Sequence, residues 1–355
     1  MEQPKRILVD CERMKYPFTG LYYYCLYLAK YLELTNIDKE FCFYSRPATK
    51  ELFKNSCVIE QHSLQKFLLP SLKKFSIWHS TYQGTMYYPW HRNIKVVLTV
   101  HDLNFLYDES KTEIKKKKYL KHLAQKVKRA DYIVAISQFV LDDLNKHIPL
   151  AGKPAKVIYN GCTLDEIEHL AAPSFVPGAA FIFTVGTIVD KKNFHVLPGL
   201  LKENDYQLLI AGITNSEEYK NKIIEEAKFL GVEDRVIFVG PVSENDKQWY
   251  LKNCLAFAFP STAEGFGLPV IEAMYFGKPV FLSRFTSLPE IGGDDAYYFD
   301  NFEPAYMVKM LQESLEHFEK NNGRKKMKER ALFFDWTRSA EQYQAVYDEL
   351  LKEND

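Results

Sequence analysis

Short apolar runs rich in β-branched and aromatic residues alternate along this chain with stretches whose apolar residues recur every three or four positions. The first kind of run predicts buried strands and the second amphipathic helices. In the first half, strands are predicted at Arg6–Asp10, Phe41–Tyr44, Ile77–His79, Lys95–Val100, Tyr132–Ile136 and Lys156–Tyr159, with helices near Gly20–Leu34, Ser63–Leu72, Thr112–Arg129 and Gln138–His147. The second half restarts the pattern. Its strands are predicted at Phe181–Val185, Gln207–Ala211, Val236–Val239, Leu255–Phe259, Pro279–Leu282 and Tyr297–Phe299. Helices are expected near Phe194–Lys202, Ser216–Leu230, Glu244–Lys252, Leu268–Phe276 and Pro304–Lys320, with a last one at Thr337–Leu351. Strand–helix alternation met twice predicts two α/β domains with parallel sheets. The Pro- and Gly-containing stretch 171–178 is the best linker, so the expected divisions are 1–170, 171–335 and a final helix in 336–355.

Length agrees, since 355 residues exceed one ordinary core. Composition excludes wholesale disorder: hydrophobic residues make up 46% and charged residues 26%. No run approaches ~18 uninterrupted apolar residues, so no transmembrane helix is expected, and the first residues lack the pattern of a signal peptide. The six cysteines are scattered without zinc spacing, which predicts reduced thiols in a cytoplasmic protein. Net charge is zero only by cancellation. Residues 1–160 carry 26 Lys+Arg against 15 Asp+Glu, a balance of +11, and the remainder carries −11. A basic half suggests something anionic beside it.

In open α/β sheets, ligands bind beyond the carboxyl ends of the strands. The strongest candidate there is Glu264-Gly-Phe-Gly-Leu-Pro-Val-Ile-Glu272, after an apolar strand. Gly265 and Gly267 permit unusual backbone, and Pro269 suits a helix's first turn. The helix N-terminus then makes an anion site, with Glu264 and Glu272 as acceptors for sugar and ribose hydroxyls. Either Glu alone is more simply a solvated or dipole-complementing residue; the whole loop favours function. A second candidate is Gly186-Thr187 through Lys191-Lys192-Asn193, two lysines suited to phosphate. Val242 lies in a turn that could wall a nucleobase, Gly20 opens a helix, and His101 ends an apolar strand. Each has an equally plain structural reading.

Taken together, these segments resemble the GT-B-fold retaining glycosyltransferases of family 4 over nearly the whole length. The likeness rests on Glu264–Glu272, Val185-Gly186-Thr187 through Asn193, and Val157–Gly161, with Thr99–Asp102, Ala135–Ser137, Leu288–Gly293 and Phe334–Trp336. It implies two Rossmann-like domains facing a cleft, the N-terminal one binding acceptor, the C-terminal one binding nucleotide sugar, and a last helix crossing back to the first domain. It implies that Glu264 contacts donor-sugar hydroxyls, Glu272 holds ribose, Phe266, Gly267 and Leu268 offer backbone amides, and Lys192 binds phosphate. His101 matches the family's histidine near the sugar, and Gly20 its N-terminal glycine loop. One departure is Lys191, where a subgroup has Arg; lysine lacks the paired donors of a guanidinium.

A departing nucleoside diphosphate carries negative charge, and no Asp-x-Asp metal motif occurs. A helix terminus contributes only about 0.3–2 kcal/mol, so Lys191 and Lys192 are expected to add preorganised charge. The expectation is metal-independent hexose transfer (mannose or glucose type) with retention, no cofactor, and a glycan or lipid-linked acceptor in surface polysaccharide synthesis. The lysine-rich segment 111–129 and the apolar-basic segment 64–75 suggest peripheral contact with anionic membrane at its cytoplasmic face. No nucleic-acid module is visible. A sugar-nucleotide epimerase of the same fold, or a non-catalytic nucleotide-sugar-binding subunit, are the alternatives.

Overall fold

The computed structural model describes residues 5–17, 19–53, 56–90, 93–108, 110–162 and 164–352. It falls into two compact units, one of Met1–Thr163 with Asp335–Asp355 and the other of Leu164–Phe334.

The first unit holds strands β1 (Lys5–Asp10), β2 (Lys39–Ser45), β3 (Cys57–Glu60), β4 (Ile77–Ser80), β5 (Lys95–Val100), β6 (Tyr132–Ala135) and β7 (Ala155–Val157). All are parallel, in the order β3-β2-β1-β4-β5-β6-β7. Ile7, Leu8 and Val9 are each fully buried. A sheet covered on both faces needs such continuous apolar runs rather than alternation. Helices α1 (Gly20–Leu34), α2 (Glu113–Arg129) and α3 (Gln138–His147) begin on side-chain caps from Thr19, Thr112 and Ser137. The last helix of the chain, Trp336–Lys352, belongs to this unit. Its Tyr343 and Tyr347 join the core beside Tyr24, Leu28 and Ile77. Tyr343 and Tyr24 hydroxyls meet at 2.7 Å, and Tyr347 meets His79 Nδ1 at 2.8 Å.

Three expectations need correcting here. The helix predicted at Ser63–Leu72 is a single 3₁₀ turn, Ser63–Lys66. Leu64, Phe67 and Leu68 remain 75–81% exposed, so no buried face supports further turns, and Pro70 follows. The strand predicted to reach Tyr159 ends at Val157. Cys42 and Cys57 are joined in a disulfide rather than reduced. They are register partners on β2 and an unpredicted β3, with Cα atoms 4.5 Å apart.

The second unit holds β8 (Phe181–Val185), β9 (Gln207–Ala211), β10 (Val236–Gly240), β11 (Ala256–Phe259), β12 (Val280–Ser283) and β13 (Tyr297–Phe299). They too are all parallel, ordered β10-β9-β8-β11-β12-β13. Its helices are α4 (Glu217–Phe229), α5 (Glu244–Asn253), α6 (Leu268–Tyr275), α7 (Leu288–Gly292), α8 (Pro304–Lys320) and α9 (Gly323–Phe333); the last helix is thus α10. The helix predicted at Phe194–Lys202 is 3₁₀ over Phe194–Leu201, with Pro198 inside it, where proline removes an amide donor. The unpredicted α9 buries little beyond Gly323, Met327 and Ala331, a stripe too narrow for its sequence to signal. The stretch 171–178 lies within this unit. Asn245 on α5 exchanges hydrogen bonds of 3.0 Å with the Ala171 backbone, and Tyr250 donates to Phe175 O at 2.7 Å. Strand order reverses between β8 and β11, so their carboxyl ends flank the switch point where such sheets bind ligands.

Candidate active site

Two loops meet at that switch point. The first leaves β8 through Gly186 and the half-buried Thr187, then makes a 3₁₀ turn, Asp190–Lys192, ended by Asn193 in the left-handed region (φ 56°). This turn aims Lys192 back along the strand end. A Cβ at Gly186 would lie 3.3 Å from Lys192 Cε, so the missing side chain leaves the lysine its path. The second loop leaves β11 and runs from Pro260 to Gly267.

The loops are joined by a buried ion pair. Lys192 Nζ lies 2.5 Å from Glu264 Oε1 and 4.6 Å from the centroid of the Phe259 ring. Ser261 Oγ stands 2.7 Å from the same carboxylate oxygen and 2.9 Å from Lys191 O, with one proton to give. Thr262 N also donates to Lys191 O, at 2.8 Å. Lys191 thus uses its backbone to hold the loops together and leaves its side chain exposed. Burial would push the Glu264 carboxyl up, but the charges of Lys192 and Lys191 and the Ser261 hydroxyl outweigh it and hold it below the ordinary range. Burial also draws the Lys192 ammonium down, against the pull of Glu264. Glu264 is therefore a carboxylate kept ionised in a nearly dry place, available to accept from hydroxyls.

The loop 283–287 after β12 carries Glu264 from behind, and its sequence gave no warning of this. Thr286 Oγ1 accepts from Glu264 N at 3.0 Å. Ser287 Oγ reaches Glu264 O at 3.0 Å and Phe266 O at 2.9 Å. Thr286 has φ 54°, an uncommon conformation for a β-branched residue, of the kind that clusters at functional sites. Such a contact between segments 22 residues apart has no local pattern.

Gly265 and Phe266 lead to Gly267, which precedes α6 with φ 120°. The positive φ favours glycine, and a Cβ there would also crowd Leu288 Cδ2 at 3.1 Å. Phe266 buries its ring edge-on against Phe334 at 5.6 Å. Leu268 and Pro269 start the helix, whose N-terminus faces the loop.

Glu272 sits on α6, 4% exposed. Its carboxylate is met at 3.0 Å by Lys247 Nζ from α5, which also pairs with Glu244 at 3.0 Å. Burial would lower the Lys247 ammonium, but the two carboxylates outweigh it and raise it above its ordinary range. Lys247 was missed in the sequence. Its spacing of three from Glu244 on a helix was the available signal. Half-buried Val242 lies between β10 and the α5 cap Ser243.

The two remaining candidates belong to the first unit. Gly20 is the exposed first residue of α1, after the Thr19 cap; the neighbouring Phe18 lies outside the described residues. His101 follows β5 and is 7% exposed. Its Nε2 lies 2.7 Å from Thr81 O, so the proton is on Nε2 and Nδ1 keeps its lone pair. Its amide donates to Gln83 Oε1 at 3.0 Å. Burial lowers its pKa to about 4, partly opposed by the Thr81 bond and helped by the charge of Arg13. Among the described residues, no three His, Cys, Asp or Glu side chains converge to hold a metal ion.

Comparison with known proteins follows the same division. The model of "Glycosyl transferases group 1" matches residues 166–332, and that of "Glycosyltransferase Family 4" matches residues 52–166. The chain belongs to the family 4 glycosyltransferases of GT-B fold. Among relatives of this glycosyltransferase is the O-antigen chain mannosyltransferase B of Escherichia coli, 26% identical over 330 residues, covering 81% of this chain and 85% of that protein. Another is the O-antigen chain mannosyltransferase RfbU of Salmonella typhimurium, 28% identical over 205 residues, 57% of this chain and 55% of that protein. Among solved structures, Anabaena HepE in complex with UDP and glucose superposes with a TM-score of 0.73 at 16% identity, over 97% of this chain and 100% of that one. That likeness bears on the fold. No described helix of the enzyme is long and apolar enough to cross a membrane.

Proposed function

We propose that this glycosyltransferase moves a hexose, of mannose or glucose type, from a nucleotide-diphosphate sugar to a glycan or lipid-linked acceptor in surface polysaccharide synthesis. The observation that carries the reading is the Lys192–Glu264 pair, held at 2.5 Å by two loops at the switch point of the second sheet. It sets a fixed positive charge for a diphosphate beside an ionised carboxylate for sugar hydroxyls. The mannosyltransferase relatives favour the mannose type.

In the proposed reaction, Lys192, Lys191 and the α6 N-terminus receive the charge that develops on the leaving diphosphate, without a metal ion. Glu264 and the amides near Gly267 orient the sugar, and Glu272, fixed by Lys247, holds the ribose. The C1–phosphate bond breaks while the acceptor oxygen bonds to C1 on the same face. The acceptor's proton passes to the leaving phosphate oxygen, so configuration is retained. His101 of the first unit, neutral and rigid, is suited to hydrogen bonding rather than to acid catalysis. The membrane reading draws on the exposed Lys115, Lys117, Lys118 and Lys121 of α2 and on Leu64, Phe67 and Leu68, a surface suited to the cytoplasmic face of an anionic bilayer.

The test is a thermal-shift panel of GDP- and UDP-sugars followed by turnover with the best donor, with and without EDTA. A true donor raises the apparent melting temperature by binding only the folded state. Lys192→Ala and Glu264→Ala should each cost about 10²-fold or more in kcat. Near wild-type turnover in both variants overturns the site.

A further inference from the structure

The structure assigns an oxyanion-binding site to Arg13 in the first unit, for a phosphate or carboxylate group on the acceptor; this rests on the transferase reading above. Arg13 stands in the single 3₁₀ turn Glu12–Lys15 that follows β1. Its guanidinium carbon lies 4.7 Å from the ring centroid of Tyr16 and 4.7 Å from that of Tyr82. The two tyrosines come from the loops after β1 and after β4, the strands between which the order of the first sheet reverses. That is the ligand end of an open α/β sheet.

Several features make this a prepared position. Gly84 lies against the Tyr82 ring so closely that a Cβ would be 2.4 Å from it. Only glycine lets that ring fold back over its own loop. Clamped between two faces, the guanidinium has lost its rotational freedom before any ligand arrives, which lowers the cost of binding. Its Nε is buried and, among the described residues, has no hydrogen-bond partner. Leaving a buried charged donor unmet is unfavourable, and the planar fork of Arg matches two oxygens of a carboxylate or phosphate. Two carboxylates of the neighbouring loops have partners of their own. Glu12 pairs with Lys15, and Asp102 Oδ1 accepts from Asn104 N at 3.0 Å. The Tyr82 ring is also 6.2 Å from His101, which follows β5 at the same end of the first sheet and feels the Arg13 charge.

The probes are phenyl phosphate and methyl glucuronide, titrated calorimetrically into the full chain with GDP or UDP, whichever stabilises it, kept saturating. Wild type should bind at least one probe. Arg13→Gln should weaken that probe about tenfold or more, and Arg13→Lys by a few-fold, because the charge stays and the fork goes. Nucleotide affinity should not change. Preference for phenyl phosphate would mark a phosphate-bearing acceptor, and preference for the glucuronide an acidic sugar; both outcomes support the site. Failure of wild type to bind either probe overturns it, as does equal binding by Arg13→Gln or a loss of nucleotide affinity in that variant. If Arg13→Gln does not fold, Arg13→Lys carries the same comparison. If no nucleotide stabilises the chain, the donor reading falls instead, and the titrations are then read without it.

Discussion

Replacing Lys192 with methionine keeps the length of the side chain and removes its charge. In the wild type, the side chains of Lys192 and Glu264 are only 12% and 14% exposed. Removing one partner of a buried pair costs about 3–5 kcal/mol, because the other charge is left uncompensated. Ser261 at 2.7 Å and the field of Lys191 remain, so the expected loss at neutral pH is near the lower limit, about 3 kcal/mol. The pH dependence gives the sharper test. With Lys192 present, the lowered folded pKa of Glu264 supplies stability above the ordinary glutamate range, lost as pH falls through the lowered value. Without Lys192 the burial contribution dominates, the folded pKa rises above about 4.3, and stability is regained as pH falls toward it. The deficit of Lys192→Met should therefore be smaller at about pH 5 than at about pH 7.5. Adding Glu264→Gln should recover about 1.5 kcal/mol or more, since no buried charge is then left alone. Urea unfolding followed by hydrogen exchange in peptides from β11 and α6 reads the second unit separately. A deficit below about 1 kcal/mol, one that is the same at both pH values, or strict additivity of the two substitutions would refute this reasoning.

Lys247→Met should raise the donor KM roughly tenfold with little change in kcat, because it loosens Glu272 and not the reacting atoms; steady-state kinetics showing the reverse split would remove Glu272 from ribose binding. Gly267→Ala should cost about 1–3 kcal/mol in urea unfolding, given its φ of 120° and the 3.1 Å contact with Leu288. Cys42→Ser, or reduction, should lower the stability of the first unit by about 3 kcal/mol, the loop-closure value for 15 residues; unchanged unfolding under reductant would contradict it. Below about pH 6.5 the unfolded chain protonates His79 and His101, whose folded values burial lowers to about 3 and about 4. Asp10, raised by burial to about 7, acts in the opposite sense. Between about pH 6.5 and 4 the three groups leave the unfolded state one proton richer, so the first unit should lose about 1.4 kcal/mol per pH unit, and Asp10→Asn should steepen the loss in an unfolding series.

The sequence by itself determined the two parallel α/β units, because strands buried on both faces require continuous apolar runs such as Ile7–Val9, whatever they pair with. It also determined the Glu264–Glu272 loop, since Gly267 and Pro269 are dictated by local backbone geometry. Tertiary structure decided the rest. Whether Leu64, Phe67 and Leu68 become a helix depends on having a partner surface, and they have none. Whether Cys42 bonds to Cys57 depends on strand register, which no spacing of cysteines expresses. The ionised state of Glu264 depends on Lys192 and the fixed position of Glu272 on Lys247, lysines brought in from 72 and 25 residues away. The proposed diphosphate site in an acidic half of the chain then rests on local charge, because Coulomb attraction falls with distance and with solvent exposure. On the proposed reading, Lys191 and Lys192 at contact distance act more strongly on the phosphates than a net charge of −11 spread over the second half of the chain.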